Sequence, residues 1–572
     1  MSQQTLLKVT DSIDHQKSFI LEAGAGSGKT WTLIESLRHI IKTQSDKLSK
    51  NGQKVACITY TNVAKDEIIS RIEQNSLIEV HTFHEFLWSQ IKRYQTELKA
   101  ALCFLNDQKP ANKQITDLSV ALKPQKIIYS EFASNWLIGE IFHNDVLKLA
   151  EYLFKTYPKL CRITADRFPV IFMDEYQDTE EPVRAVLLDH LLTSAPDKIT
   201  IGFFGDAMQK IYNSGIGELE DERLDRITKL ENYRCSKTVI SLLNHIRTDL
   251  QQFPAGDNLE GSTKFIHSNA FGSERPSYKL ILEFLQNNCN WPSENTETKV
   301  LVLTHNKIAG ALGFAQLLRA YTTRWGSSFG RDKLYKRQEA FSKFIIEGIE
   351  QICELYETKQ YSHFLKRVHA ETFKITQHSD KEKLQEIMSE LNSLRQSGTI
   401  KNVIEYVLDN NFLSKPDKVK SFEDRINPLA DLGVMLFELT DEEKTKEQSR
   451  LDKDRTFNET LMTIPYLEVL KLKEYLDENT PFSTKHGVKG EEYDNVLVVV
   501  DDTAWNQYKF DSVFSADTTK TQYNRSNNLL YVCCSRAINN LAIYSISDIS
   551  AQSLTTIQDW FGDDNVLDVK QI

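Results

Sequence analysis

No stretch of this chain approaches the ~20 consecutive apolar residues that a bilayer-spanning helix requires. The opening segment, MSQQTLLKVTDSIDHQKS, is polar and lacks the apolar core of a signal peptide. The expected compartment is therefore the cytoplasm, with no membrane partner. Clustered cysteine is also missing. Cys57, Cys103, Cys161, Cys235, Cys289 and Cys353 are scattered, and only Cys533 and Cys534 are adjacent. Without a CxxC pair, neither a zinc ribbon nor an iron–sulfur cluster has its ligand set, and the thiols read as reduced and mostly buried. Positive charge is in short supply: the formal net charge is -11. That excludes a surface coated in basic residues, but not a groove lined by local Lys and Arg. Internal repeats and low-complexity tracts are absent.

What is present is a soluble-type composition, 40% hydrophobic and 26% charged, over 572 residues. That length implies two to four domains. Six short apolar runs end in polar loops: SFILEAGAG, KVACITYTN, FPVIFMDEYQD, KITIGFFGD, KVLVLTHN and YDNVLVVVDD. They do not alternate, so they read as strands buried on both faces of a parallel sheet. Helical patterns such as NVAKDEIISRIEQ and PVRAVLLDHLLTS follow, which is α/β grammar. Two regions depart from it and read as helical. The expected organisation is an α/β lobe at 1–85 plus 161–255 with a helical insertion at 86–160. A second α/β lobe follows at 295–325 plus 471–572, with a helical insertion at 326–470. The charged stretch TDEEKTKEQSRLDKDRT reads as a solvated helix or loop.

Residues 23–30, AGAGSGKT, follow a strand and open a helix. Ala23, Gly24, Ala25, Gly26, Ser27 and Gly28 would wrap backbone N–H groups around phosphate oxygens. Lys29 would reach the β- and γ-phosphates, and the Thr30 hydroxyl would ligate Mg²⁺. DEYQD at 174–178 follows the apolar run VIFM. There Asp174 would hold Mg²⁺ and Glu175 would polarise the attacking water. Gln209, in GDAMQ, would orient water or sense the γ-phosphate. In NYR, Tyr233 supplies a ring for stacking and Arg234 a charge for the transferring phosphoryl group.

In their order these motifs resemble the UvrD/Rep-like helicases of superfamily 1. The series continues with ITYTNVAKDEIISRI, HTFHEFL, GDAMQKIY, LENYRCSKTVI, VLVLTHNKIA, STKHGVKGEEYDNVLVV and LLYVCCSRAINNL, and so reaches both lobes. The resemblance implies two RecA-like parallel-sheet lobes, called 1A and 2A, with the insertions as 1B and 2B. It implies ATP as substrate with Mg²⁺, Tyr233 stacked on adenine, and Arg234 and Arg536 as arginine fingers. Glu492 would bind ribose, and Gln4, or its neighbour Gln3, would read adenine. For DNA it implies Thr59, Tyr60, Thr61, Asn62, Thr82, Phe83 and His84 in the first lobe. In the second lobe it implies His486 and Lys489.

The chain departs from the family after QKIY. Relatives continue with an arginine, an aromatic and another arginine, whereas this chain reads Asn213-Ser214-Gly215. The leading expectation is an ATP-driven motor moving 3′ to 5′ on single-stranded or tailed DNA. The alternative is a DNA- or nucleotide-sensing NTPase subunit that regulates a partner without processive unwinding. After SRAINNLAIYSIS too little chain follows for a nuclease domain. Its compactness resembles the helicase-like subunit of Gabija-type phage-defence systems, which would add a separate OLD-family nuclease as partner. Housekeeping DNA repair is the competing role.

Overall fold

The structure, a computed structural model, describes residues 2–130, 134–210, 214–269, 278–292, 298–302, 309–310, 312–368, 378–427, 441–477, 482–483, 491–503 and 508–571. The chain divides into two compact units, Met1–Leu301 with Lys485–Ile572, and Val302–Thr484.

The first unit contains two RecA-like parallel sheets. In the first, the strands run Ile78–Thr82, Val55–Thr59, Val170–Asp174, Thr200–Gly205, Phe19–Ala23 and Asp225–Lys229, with every neighbouring pair parallel. Its central strands are buried at every residue, which explains their continuous apolar sequence. One face packs Phe19, Leu21, Phe172 and Phe204 against Val9 and Ile13 of the helix Ser2–Asp14 and Leu33, Leu37 and Ile40 of the helix Lys29–Asn51. The other face packs Ile20, Ile58, Ile171 and Phe203 against Phe86, Leu98 and Leu153. Those last three lie on the helices Phe83–Ile91, Gln95–Asp107 and His143–Thr156, so the first helical insertion shares its core with the sheet.

The second sheet runs Thr298–Val302, Tyr493–Val500, Ala537–Ser545, Ser262–His267 and Val566–Asp568. Its described pairings are parallel. The strand Ser262–His267 falls in the stretch 256–294 that the sequence reading left unassigned. It pairs with residues near the end of the chain, Ser262 opposite Asn540.

The second unit is helical. The stretch read as helix or loop is the helix Asp441–Thr463. Its Asp454 is 1% exposed and takes Arg324 at 2.5 Å and Arg425 at 2.9 Å. A second buried cluster joins Glu350 to Arg395 at 2.6 Å and to the Tyr466 hydroxyl at 2.9 Å. The helices Ala315–Trp325 and Leu467–Leu476 group with this unit rather than with the second sheet. Among the described residues no helix is long and apolar enough to cross a membrane.

Candidate active site

The first strand ends at Ala23 and the helix Lys29–Asn51 begins after a tight glycine loop. Gly26 and Gly28 hold φ of 69° and 78°, the left-handed region that β-carbon-bearing residues avoid. At Gly26 a Cβ would also fall 2.6 Å from Asn232 Oδ1, so that position excludes a side chain twice over. Gly28 caps the helix without a side-chain hydrogen bond, and the first-turn N–H groups have no intrahelical acceptors. Ser27 Oγ is buried with no partner among the described residues.

NYR is fastened to this loop. Tyr233 N–H donates to Gly26 O at 2.9 Å, and Asn232 Nδ2 donates to Ala25 O at 3.0 Å. Asn232 Oδ1 accepts from the Arg234 and Cys235 amides, which sets the turn. Tyr233 is 44% exposed and Trp31, next after Thr30, is 42% exposed. The Lys229 ammonium lies 5.6 Å from the Trp31 ring centre and 6.0 Å from that of Tyr233.

Lys29 Nζ is 2.7 Å from Glu175 Oε1. Burial pulls the Lys29 pKa down, but Glu175, Asp174 and Asp206 outweigh it and hold the ammonium above its ordinary value. Asp174 ends the strand Val170–Asp174 and is 5% exposed. Glu175 turns sharply away from it at φ 53°, a conformation uncommon for a non-glycine residue and frequent at functional turns. Gln177 Nε2 donates to Glu175 Oε2, and its Oε1 accepts from the Asp206 amide, so the acidic turn is tied to the next strand end. Thr30 is half-buried on the first turn of the loop helix. Its hydroxyl and the Asp174 carboxylate are hard oxygen donors of the kind Mg²⁺ takes, so the residues present fit that ion.

Residues from the second sheet meet this loop cluster. Arg536 Nη2 donates to Gln209 Oε1 at 3.0 Å, and its Nε donates to Val532 O at 3.0 Å. Burial, and then the neighbouring Arg234, bring the Arg536 pKa down to about 10, so it stays charged at neutral pH. Arg234 Nε lies 2.5 Å from Glu492 Oε2. Lys29, Glu175, Gln209, Arg234, Arg536 and Glu492 are thereby linked in one cluster. Gln4 and Gln3 are exposed on the helix Ser2–Asp14.

The residues expected to contact DNA sit at the ends of the neighbouring strands. Thr59 ends Val55–Thr59, Thr61 caps the following helix by accepting from Ala64 N, and Asn62 is exposed beside it. Thr82 forms a reciprocal cap with Glu85. Phe83 is 4% exposed and shows its ring to Tyr60 at 5.6 Å and His84 at 4.1 Å rather than to solvent. His84 is desolvated and lies 4.8 Å from the His143 ring, and its pKa falls to about 4. His486 and Lys489 lie outside the described residues.

Sequence reading missed Arg247, Gln252 and Tyr531. Gln252 Nε2 donates to Ala25 O at 3.0 Å, and Ala25 N–H donates to the Tyr531 hydroxyl at 3.1 Å. The available signal was NHIRTDL: an arginine directly after the buried Val239, Leu242, Leu243 and Ile246 of an amphipathic helix.

Residues 7–134 and 110–215 match the UvrD/REP helicase N-terminal domain. Along its length the chain is 25% identical to Gabija protein GajB of Bacillus cereus (strain HuB5-5), with 98% of this chain and 97% of that protein covered. It is 25% identical to a probable DNA helicase II homolog of Rickettsia felis over 46% of this chain and 45% of that protein. It is 23% identical to the ATP-dependent DNA helicase PcrA of Staphylococcus aureus (strain Mu50 / ATCC 700699) over 41% of this chain and 39% of that protein.

Proposed function

We propose that this chain, UvrD-like in sequence and built on two RecA-like lobes, hydrolyses ATP at the cluster around Lys29 and uses the cycle to move along single-stranded DNA. The observation that supports this reading most directly is the contact of Arg536, from the second sheet, with Gln209, from the first. A nucleotide phosphate held by the glycine loop would lie between groups supplied by both lobes.

In this reading the γ-phosphate draws Lys29 from Glu175. The freed carboxylate accepts a proton from the attacking water, and Gln209 orients that water. Arg234 and Arg536 neutralise the charge that develops on the phosphoryl oxygens. Thr30 and Asp174 would hold Mg²⁺, which neutralises β- and γ-phosphate charge when bound. Hydrolysis removes the charge that engages the arginines, so the lobes lose their common ligand once each cycle. Tyr233 stacks on adenine, Glu492 takes the ribose, and Gln4 or Gln3 reads the base edge.

The single strand lies across the strand ends at Tyr60, Thr61, Asn62, Thr82 and His84, which the buried Thr59 and Phe83 back from within, and His486 and Lys489 engage from the second lobe. Phosphate contacts and stacking grip it without reading sequence. Movement runs 3′ to 5′. The full-length similarity to a Gabija protein favours a role in anti-phage defence beside a separate OLD-family nuclease, in the cytoplasm. DNA repair is the competing role.

A second reading has its own observation. Gly215 forms an isolated bridge with Glu180, and a Cβ there would sit 2.5 Å from Gln177 O. The segment where relatives carry a stacking aromatic is thus packed on the acidic turn, and Ser214 is exposed in the aromatic's place. That arrangement suits an NTPase that senses DNA or nucleotide and regulates its partner without processive unwinding.

ATPase turnover with and without single-stranded DNA, and strand displacement on a 3′-tailed duplex, separate the two. Stimulation with displacement supports the motor, and stimulation without displacement supports the regulator. Turnover that persists in Lys29→Ala refutes both.

A further inference from the structure

Arg247 caps the helix Lys237–Ile246 and is 2% exposed. Its Nη1 donates to Asp206 Oδ1 at 2.7 Å and to the Tyr531 hydroxyl at 3.4 Å. The remaining guanidinium N–H groups reach Asp249. Asp206 is completely buried, and its second oxygen accepts from Gln209 Nε2 at 2.8 Å. Gln209 Oε1 in turn accepts from Arg536 Nη2. The Tyr531 hydroxyl also accepts the Ala25 N–H of the glycine loop.

These contacts close a circuit. It runs from Ala25 to Tyr531, Arg247, Asp206, Gln209 and Arg536, and returns to Tyr531 through the end of the helix Tyr523–Cys534. Ala25, Asp206 and Gln209 lie at strand ends of the first sheet, Tyr531 and Arg536 come from the second lobe, and the helix that ends at Arg247 packs on the second sheet.

A buried arginine–aspartate pair is a poor source of stability, because desolvation offsets its attraction. Its value lies in geometry. Each Asp206 oxygen has a fixed donor: Oδ1 serves Arg247 and the Met208 amide, and Oδ2 serves Gln209. Without the guanidinium, the carboxylate that aims Gln209 loses its own anchor. The same guanidinium, through Tyr531, holds the segment carrying Arg536 against the glycine loop.

We propose that Arg247 is a positioning residue for hydrolysis. It aims Gln209 through Asp206 and sets Arg536 through Tyr531, so that sensor and arginine finger are aligned by one side chain. The proposal rests on the ATPase reading above.

Steady-state ATPase of the full chain tests it, with kcat and KM measured for wild type, Lys29→Ala, Tyr531→Phe and Arg247→Lys. Tyr531→Phe keeps the ring and removes only the hydroxyl that accepts from Ala25 N–H and Arg247 Nη1. Its expected result is kcat down about tenfold with KM for ATP within about twofold, because alignment rather than ground-state binding is lost. Arg247→Lys keeps the charge beside Asp206 but not the fork, and its kcat falls at least as far. The double variant falls little beyond the worse single one, since both act on one circuit. If Arg247→Lys lowers the melting temperature enough to obscure its kinetics, Tyr531→Phe carries the test.

Wild-type kcat in Tyr531→Phe and in folded Arg247→Lys, with Lys29→Ala inactive, overturns this proposal alone. So does a loss confined to KM. A wild-type chain without turnover, or an active Lys29→Ala, overturns the ATPase reading and this proposal with it.

Discussion

Lys29 Nζ and Glu175 Oε1 stand 2.7 Å apart, so the cation proposed to bind phosphate and the carboxylate proposed to activate water hold each other. In the proposed cycle a triphosphate would separate them. Substituting Glu175→Gln removes the competitor for Lys29 and the proposed general base together. Turnover should fall by about 10²- to 10⁴-fold while ATP affinity is retained or improved. Phosphate release and titration with a fluorescent ATP analogue measure the two quantities. Lys29→Ala should lose both, and equal loss of affinity in the two variants would speak against the assignment.

Arg234 and Arg536 differ in burial, and that separates their phenotypes. Arg234→Ala and Arg536→Ala should each lower kcat by about 10³-fold if both act as arginine fingers. Arg536 is 2% exposed, so its truncation should also depress the melting temperature. Glu492 is 51% exposed, and Glu492→Ala should change stability by less than ~1 kcal/mol while raising KM for ATP. A Glu492→Ala enzyme with unchanged KM removes it from the nucleotide site.

His84 contributes to the acid response of the first lobe. Its folded pKa of about 4 lies below the ordinary 6.5, through burial and then the nearby His143. The unfolded chain therefore binds the proton first. The stability contribution is complete above pH 6.5 and is lost as pH falls from 6.5 towards 4. In His84→Gln the loss of melting temperature across that window should shrink. Because His84 is neutral at pH 7, the salt dependence of DNA binding should keep its slope in the same variant. A flatter salt slope would assign His84 a phosphate contact as a cation.

The sequence made the loop-bearing strand ends of the candidate site legible because those strands are buried on both faces and spell unbroken apolar runs. Other strands carry no such run. Ile78–Thr82 and Asp225–Lys229 are edge strands that mix buried and open residues. Ala537–Ser545 lies inside the second sheet, but after the buried Ala537 come the half-buried Ile538, Asn539 and Asn540. Arg247 and Gln252 were illegible for another reason. Each acts on Ala25, Asp206 or Tyr531, partners brought near only by the completed fold, and no local spacing encodes that.

Ser214 is the place to restore what the chain lacks. It is exposed, and the residues after it are pinned: Ile216 N–H donates to Thr179 O at 2.8 Å and Gly217 N–H to Gln177 O at 3.0 Å. Ser214→Phe should tighten single-strand binding about tenfold by adding a stacking ring, as read by fluorescence anisotropy. Unchanged binding and unchanged strand displacement would show that this turn does not meet DNA.

Trp31 offers a reporter. It follows Thr30 directly and is 42% exposed. ATP binding should change the intrinsic fluorescence, and Trp31→Phe should abolish most of that change without altering turnover more than about twofold. A response that survives in Trp31→Phe places the reporter elsewhere.

The parallel pairing of Ser262–His267 with Ala537–Ser545 and Val566–Asp568 sets a timetable on the ribosome. The first sheet has all six strands once Lys229 has emerged. The strand at Ser262 must then wait for neighbours translated last, roughly 15–60 s later at ordinary elongation rates. Nascent chains therefore carry a finished half and an unpaired strand with Phe265 and Ile266 uncovered for much of their synthesis, and that interval is when a chaperone has most to offer.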